Sequence, residues 1–116
     1  MDIRIKRAYD DPAANDGTRV LVDRIWPRGV AKADLALDDW NKDVAPSTEL
    51  RKWYAHDVAK FDEFAARYGK ELDSVAGRAA LSSLKATVTG QRLTLVTATK
   101  DVEHSQAAVL AQLLGA

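Results

Sequence analysis

The chain contains no cysteine, and this absence excludes disulfide bonds, thiol catalysis and thiolate metal sites together. No apolar run approaches the roughly 20 residues that a membrane-spanning helix needs. The N-terminus alternates charged and aliphatic residues and lacks the apolar core of a signal peptide. We therefore expect a cytoplasmic protein without a membrane segment.

The chain also lacks an excess of either charge, because 17 basic residues balance 17 acidic ones. A zero balance gives no general attraction to nucleic acid or to an anionic membrane, although a local basic patch can still form. Nucleic acid and membranes are therefore not expected partners. With 116 residues, of which 47% are hydrophobic and 29% charged, the chain is expected to form one globular domain over residues 1–116.

Common binding and catalytic motifs are missing as well. The chain has no Gly-x-Gly-x-x-Gly turn, no phosphate-binding loop and no Gly-x-Ser-x-Gly elbow. This argues against classical dinucleotide or nucleoside triphosphate binding and against a serine nucleophile. His56, His104 and Asp101 are suitable ligand types for zinc but form no recognisable motif. The sequence predicts neither a metal nor a cofactor.

Hydrophobic patterning predicts three strands separated by helices. Ile3 and Ile5 alternate with polar residues, and residues 18–22 and 92–96 form the other two strand candidates. A turn is expected over residues 40–44. Helix starts are expected near Ala31, Ser47 or Thr48, Asp57, Ser74 and Asp101. This order predicts a small layered α/β domain with a short, mainly parallel sheet flanked by helices.

Two of these helices have a defined apolar face. In the helix from Asp57, apolar residues recur at spacings of three and four and form one stripe: Val58, Phe61, Ala65, Tyr68 and Leu72. The last helix is expected to bury Val102, Val109, Leu110, Leu113 and Leu114.

A ligand crevice is predicted where two polar turns follow two of the strands. If strands 18–22 and 92–96 are parallel, their carboxyl ends open at the same edge of the sheet, where open α/β sheets bind ligands. Residues 23–29 would then lie close to residues 97–101. Arg24 and Arg28 present planar cations that match phosphate or carboxylate, and Trp26 offers a stacking face. Alternatively, the arginines pair with nearby aspartates and Trp26 fills the core.

The turn after the third predicted strand offers further binding groups. Asp101 and His104 fit the N-cap and third positions of the last helix, whose exposed N–H groups suit an anion. Lys100 would add a charge there. Helix capping alone also accounts for these residues.

If the protein is an enzyme, we expect the histidines to supply its acid–base chemistry, because the pKa of imidazole lies near 6.5. His56 or His104 would transfer a proton, and Asp23 would orient an arginine or a histidine. Lys52 and His56 would share a helix face if the helix continues to residue 56. Alternatively, His56 ends a helix and interacts favourably with its dipole.

These residues fall in blocks that resemble a known family. Residues 19–29, 42–47, 50–54 and 100–104, with His56 and Asp57, resemble the YeaO-like family of small uncharacterised bacterial proteins. Ser105 and Gln106 stand where the family commonly has two asparagines. The resemblance implies a compact α/β fold and a bacterial cytoplasmic protein, and it implies no established activity.

Three hypotheses for function remain open at this stage. The first is a site for a phosphate- or carboxylate-bearing small molecule, with hydrolysis or transfer of a phosphoester as the reaction class to test. The second is a non-catalytic regulatory or interaction module that binds protein or nucleic acid. The third is that Asp23, Arg24 and Arg28 only stabilise the fold. The sequence does not distinguish an enzyme from a binding protein, and it does not give the oligomeric state.

Overall fold

The structure, a computed structural model, describes residues 1–115. The strands are β1 (Asp2–Arg7), β2 (Thr18–Leu21), β3 (Asp39–Trp40) and β4 (Arg92–Thr97). The helices are α1 (Lys32–Leu35), α2 (Thr48–Tyr54), α3 (Phe61–Leu72), α4 (Val75–Thr87) and α5 (Gln106–Leu113). Short 3-10 turns lie at Ala14–Asp16, Lys42–Val44, Val58–Lys60 and Val102–His104.

The four strands form one parallel sheet in the order β1-β4-β2-β3. The predicted layered α/β fold is therefore confirmed, and so is the parallel pairing of residues 18–22 with residues 92–96. All carboxyl ends of the strands open at the same edge. None of the helices formed by residues 1–115 is long and apolar enough to cross a membrane.

The sheet is packed on both faces. Along β2 and β4, alternate side chains enter two different cores. The larger core lies between the sheet and helices α2 to α5. It contains Val20 of β2, Val22 directly after β2, and Leu93 and Leu95 of β4. The smaller core lies on the opposite face, where Leu21 and Val96 meet Leu35 of α1. Burial on both faces explains why these strands have continuous apolar sequences, as is typical of parallel sheets.

Strand β3 was not predicted, because residues 40–44 were expected to form a turn. The short strand pairs with the end of β2. Asn41 then accepts a hydrogen bond from the N–H of Val44 at 3.1 Å and closes the turn Lys42–Val44. A strand of two residues is too short to produce an alternating pattern in the sequence.

The predicted stripe of α3 is wrong at its first residue. The side chain of Asp57 accepts a hydrogen bond from the N–H of Ala59, which caps the 3-10 turn Val58–Lys60 instead of the α-helix. Val58 therefore lies before the helix and is 49% exposed. The buried face of the helix is formed by Phe64, Tyr68 and Leu72, with Phe61 and Ala65 half-buried beside them.

The last helix begins later than predicted. Residues 102–104 form a 3-10 turn, and the N-cap of α5 is Ser105, whose hydroxyl oxygen accepts from the N–H of Ala108 at 3.4 Å. Asp101 is not the helix cap, because its carboxylate contacts the ring of His104 instead of a backbone N–H. At the other end, Leu113 is 56% exposed and does not belong to the buried face.

A buried carboxylate that the sequence analysis missed, Asp16, connects β2 to β1. One oxygen of Asp16 accepts from the guanidinium of Arg19 at 2.7 Å and from the N–H of Ala13 at 2.9 Å, and the ammonium of Lys6 lies 3.1 Å away. Asp16 and Arg19 are only 6% and 4% exposed. Although burial would raise the pKa of Asp16, its hydrogen bonds with Ala13, Lys6 and Arg19 lower the pKa overall.

Asp16→Asn is expected to lower the free energy of unfolding by roughly 3–5 kcal/mol, because it leaves the buried charge of Arg19 without a carboxylate. The pKa of Asp16 is lower in the folded state than in the unfolded state. The stabilisation by this carboxylate is therefore fully present at neutral pH and is lost as the pH falls below about 4. Urea unfolding of both proteins at neutral and acidic pH measures the two effects.

The control is Asp11→Asn, which removes an exposed carboxylate from the loop after β1 and is expected to change the free energy of unfolding by less than about 0.5 kcal/mol. Equal stability of the two variants at neutral pH would contradict the role assigned to Asp16.

Candidate functional site

A crevice of about 750 Å³ lies at the carboxyl edge of the sheet. The structure brings the two polar turns together there, since the hydroxyl of Thr97 and the N–H of Ala98 both donate to the carboxylate of Asp23 at 2.7 Å. The remaining walls are formed by helix α2, by the segment that leads into α5 and by the first residue of α5. The lining includes every residue that the sequence analysis singled out: Asp23, Arg24, Trp26, Arg28, His56, Lys100, Asp101 and His104.

Asp23 is a half-buried carboxylate held by three donors. Besides Thr97 and Ala98, the side-chain amide of Gln106 donates to it. Burial raises the pKa of Asp23 above its ordinary value, against the opposing effects of these hydrogen bonds and of the charge on Arg51. The hydrogen-bond partners of Asp23 are a threonine, a backbone N–H and a glutamine, and an arginine or a histidine is not among them within residues 1–115.

Arg24 is half-buried and is held by backbone carbonyl groups. Its Nε donates to the carbonyl of Pro46 and its Nη2 to the carbonyl of Ala45, both at 3.1 Å. These bonds attach the turn after β2 to the segment that leads into α2. Arg24 therefore does not pair with a neighbouring aspartate, which was one alternative, and it contributes to the fold as well as to the crevice wall.

Trp26 and Arg28 occupy different environments. The indole N–H of Trp26 donates to the carbonyl of Val30 at 2.8 Å, and its ring meets that of Trp40 edge to face with centroids 5.3 Å apart. Trp26 therefore packs against the smaller core, as the alternative interpretation held, while it also lines the crevice. Arg28 is exposed, and its backbone carbonyl accepts from the hydroxyl of Tyr9 at 3.1 Å.

The crevice concentrates positive charge in a chain that has no net charge. Five lysine and arginine side chains line it, against the carboxylates of Asp23 and Asp101. Within residues 1–115, none of the five makes an ion pair with an acidic side chain. They come from three segments of the chain: Arg24 and Arg28 after β2, Arg51 and Lys52 on α2, and Lys100 after β4. The lining of the crevice therefore carries an excess of positive side chains.

His56 reaches the crevice by an unusual backbone conformation. Helix α2 ends at Tyr54, so Lys52 and His56 do not share a helix face. Ala55 and His56 both adopt left-handed conformations, with φ values of 48° and 58°. Residues other than glycine disfavour this region because their Cβ atoms clash with the backbone. Two such residues in succession therefore store strain. The turn leaves His56 exposed at the mouth of the crevice.

His104 and Asp101 form a pair on the opposite turn. The Nδ1 atom of His104 lies 2.8 Å from a carboxylate oxygen of Asp101. The imidazole meets the ring of Phe61 edge to face, with centroids 5.2 Å apart, and the backbone carbonyl of His104 accepts from the hydroxyl of Tyr54 at 2.8 Å. The imidazole is thus oriented by a carboxylate and an aromatic ring. Lys100 beside this pair is exposed.

Two important members of the site were not predicted from the sequence. Gln106 was assigned no role, since its contact with Asp23 depends on where α5 begins. Arg51 was also assigned no role, and it reaches the crevice from α2. A cluster of three or more histidine, cysteine or acidic side chains able to hold a metal ion is absent from residues 1–115.

The fold and the crevice define a small parallel α/β domain with a cation-lined cavity at the carboxyl edge of its sheet. The sequence model of a family described as the inactive DUF488-N3 subclade matches residues 2–116. The chain belongs to this family.

Similar proteins are known in several bacteria. The uncharacterized protein Rv3073c of Mycobacterium tuberculosis is 54% identical over 113 residues, which cover 97% of this chain and 92% of that protein. The uncharacterized protein YeaO of Escherichia coli is 43% identical over 117 residues, which cover 98% of this chain and 97% of YeaO. The resemblance to YeaO-like proteins is therefore confirmed. No solved structure matches the chain.

Ala55→Gly is expected to raise the free energy of unfolding by roughly 0.5–1 kcal/mol, because glycine adopts the left-handed conformation without the steric penalty. Ala66→Gly on the exposed side of α3 is the matched control, and it is expected to lower stability by a similar amount because its backbone is helical. Urea unfolding measures both. A loss of stability in Ala55→Gly would show that the turn after α2 is not strained.

Proposed function

We propose that this protein is a cytoplasmic binding protein whose crevice holds an anionic small molecule, one that carries phosphate or carboxylate, without catalysing its conversion. The observation that carries this proposal is the set of five crevice cations that lack an acidic partner within residues 1–115. By contrast, the buried Arg19, which holds the fold together, is paired with Asp16.

The arrangement of the cations favours one defined anion-binding site over a basic patch spread across the surface. Arg28, Arg51, Lys52 and Lys100 surround one cavity from three segments of the chain. The volume of about 750 Å³ lies within the range typical of small-molecule sites, roughly 300–1,000 Å³. Guanidinium groups bind phosphate and carboxylate through paired hydrogen bonds, and the lysines add point charges.

Two observations favour binding without turnover. The family to which the chain belongs is described as an inactive subclade. In addition, Asp23, the carboxylate with the most suitable position for acid–base chemistry, already accepts hydrogen bonds from Thr97, Ala98 and Gln106 at three of its acceptor positions.

Hydrolysis or transfer of a phosphoester is the second candidate function. The specific observation in its favour is the contact between His104 and Asp101, which orients an imidazole at the wall of the crevice. A carboxylate that orients a histidine in this way is a common part of acid–base catalysis.

Anion binding predicts a stabilising shift in thermal unfolding. Phosphate, sulfate, citrate, nucleotides and sugar phosphates are compared at fixed ionic strength. A ligand at about a hundred times its Kd adds roughly 2.7 kcal/mol to the free energy of unfolding, which raises the Tm by several degrees. The double variant Arg28→Ala, Lys100→Ala is expected to lose this shift, because it removes two exposed cations from the crevice.

The control for this experiment is Arg78→Ala, Lys85→Ala, which removes the same amount of charge from the exposed surface of α4. It should retain the ligand-induced shift. Equal shifts in the two double variants would show that anions do not bind in the crevice. No shift with any anion would favour a macromolecular partner instead.

Absence of turnover predicts that p-nitrophenyl phosphate and the ligands from this panel are not converted by the pure protein. Reaction rates should equal those of His104→Ala, which removes the oriented imidazole. Turnover that is present in the wild-type protein and lost in His104→Ala would establish the second candidate function.

A further inference from the structure

The charges of the crevice differ between its inner and outer parts. We use the name floor for six of the half-buried and buried lining residues: Asp23, Arg24, Tyr54, Phe64, Ser105 and Gln106. The exposed cations Arg28, Arg51, Lys52 and Lys100 form the rim. On the floor, the charges of Asp23 and Arg24 have opposite signs, so the floor has little net charge. The rim has four cations and only the carboxylate of Asp101 to oppose them.

An anionic group is therefore attracted to the rim and not to the floor. A phosphate placed against Asp23 would meet a carboxylate in a partly desolvated position, where like charges repel strongly. The charge of Arg24 offsets this repulsion only in part, because two of its five N–H groups already donate to the carbonyls of Pro46 and Ala45. The phosphate of a ligand has better partners among the exposed cations.

The floor is suited to a neutral group that donates hydrogen bonds. A carboxylate offers about four acceptor positions, and Asp23 uses three of them, two on Oδ1 for Thr97 and Gln106 and one on Oδ2 for Ala98. One acceptor position on Oδ2 is left for a ligand. Tyr54 and Phe64 are buried beneath this position, with their rings stacked and their centroids 4.2 Å apart.

From this separation of charge we infer that the ligand is a phosphate ester of a hydroxylated molecule, bound with a hydroxyl group donating to Asp23 and the phosphate at the cationic rim. This inference rests on the proposed function and specifies its ligand class. Sugar phosphates and nucleoside monophosphates share this chemistry. Inorganic phosphate and simple alkyl phosphates lack the hydroxyl that the floor would recognise.

The inference is tested on the wild-type protein by titration calorimetry at fixed ionic strength. The probes are glucose 6-phosphate, adenosine monophosphate, butyl phosphate, inorganic phosphate and glucose. We expect at least one hydroxylated ester to bind about tenfold more tightly than butyl phosphate, which corresponds to roughly 1.4 kcal/mol from a hydrogen bond to a charged acceptor. Glucose alone should bind more weakly than its phosphate. The two hydroxylated esters distinguish a sugar from a nucleoside.

The other possible results would each contradict one part of the proposal. If butyl phosphate or inorganic phosphate binds as tightly as both hydroxylated esters, the inference about the floor is wrong and the anion-binding proposal stands. If none of the anions binds, the proposed function itself fails. Glucose that binds as tightly as glucose 6-phosphate would show that the rim does not hold the phosphate.

Two variants test the contributions of the rim and of the floor to ligand binding separately. Lys100→Ala should weaken all phosphates by the same factor and keep the preference for the hydroxylated ester. Asp23→Asn should reduce that preference, because an amide is a weaker acceptor and carries no charge. Since Asp23 also connects β2 to β4, circular dichroism checks that this variant is folded. If it is not, the comparison of the five probes on the wild-type protein decides the question.

Discussion

The carboxylate of Asp23 is the contact on which the candidate site depends. Parallel strands are not joined by a hairpin, so nothing in the chain connectivity fixes the end of β2 against the end of β4. Asp23 does so by accepting from Thr97 and Ala98, and its bond with Gln106 adds the first turn of α5. The backbone carbonyl of Asp23 also accepts from the indole of Trp40 at 2.7 Å. One residue therefore positions three walls of the crevice.

The polar residues of the crevice fall into two groups, one bonded to other parts of the chain and one exposed to solvent. Asp23 and Arg24 are half-buried and bonded to other parts of the chain, so their first effect is on structure. Arg28, Lys52 and Lys100 are exposed and have no acidic partner within residues 1–115. The second group is available for a ligand because the first group maintains the cavity without it.

The sequence was sufficient to predict what depends on local pattern and on general rules for parallel sheets. It predicted the fold class, the pairing of residues 18–22 with 92–96 and the meeting of the two polar turns. It did not predict contacts that depend on where elements end. The late start of α5 places Gln106 against Asp23, and the early end of α2 removes the shared face of Lys52 and His56. A shift of a few residues in a helix boundary rotates a side chain to another face, so such contacts require the structure.

The perturbed pKa of Asp23 illustrates why an unusual residue in a cleft is not by itself evidence for catalysis. Raised carboxyl pKa values are common at active sites, but they also occur wherever a fold buries an acid. Here burial is the main cause, and the bonded partners of Asp23 belong to β4 and α5. A general base must be free to take a proton from a substrate, whereas a change in the charge of Asp23 would alter the bonds that hold the sheet edge together. The carboxyl group of the crevice whose pKa is raised is therefore also one that holds the edge of the sheet together.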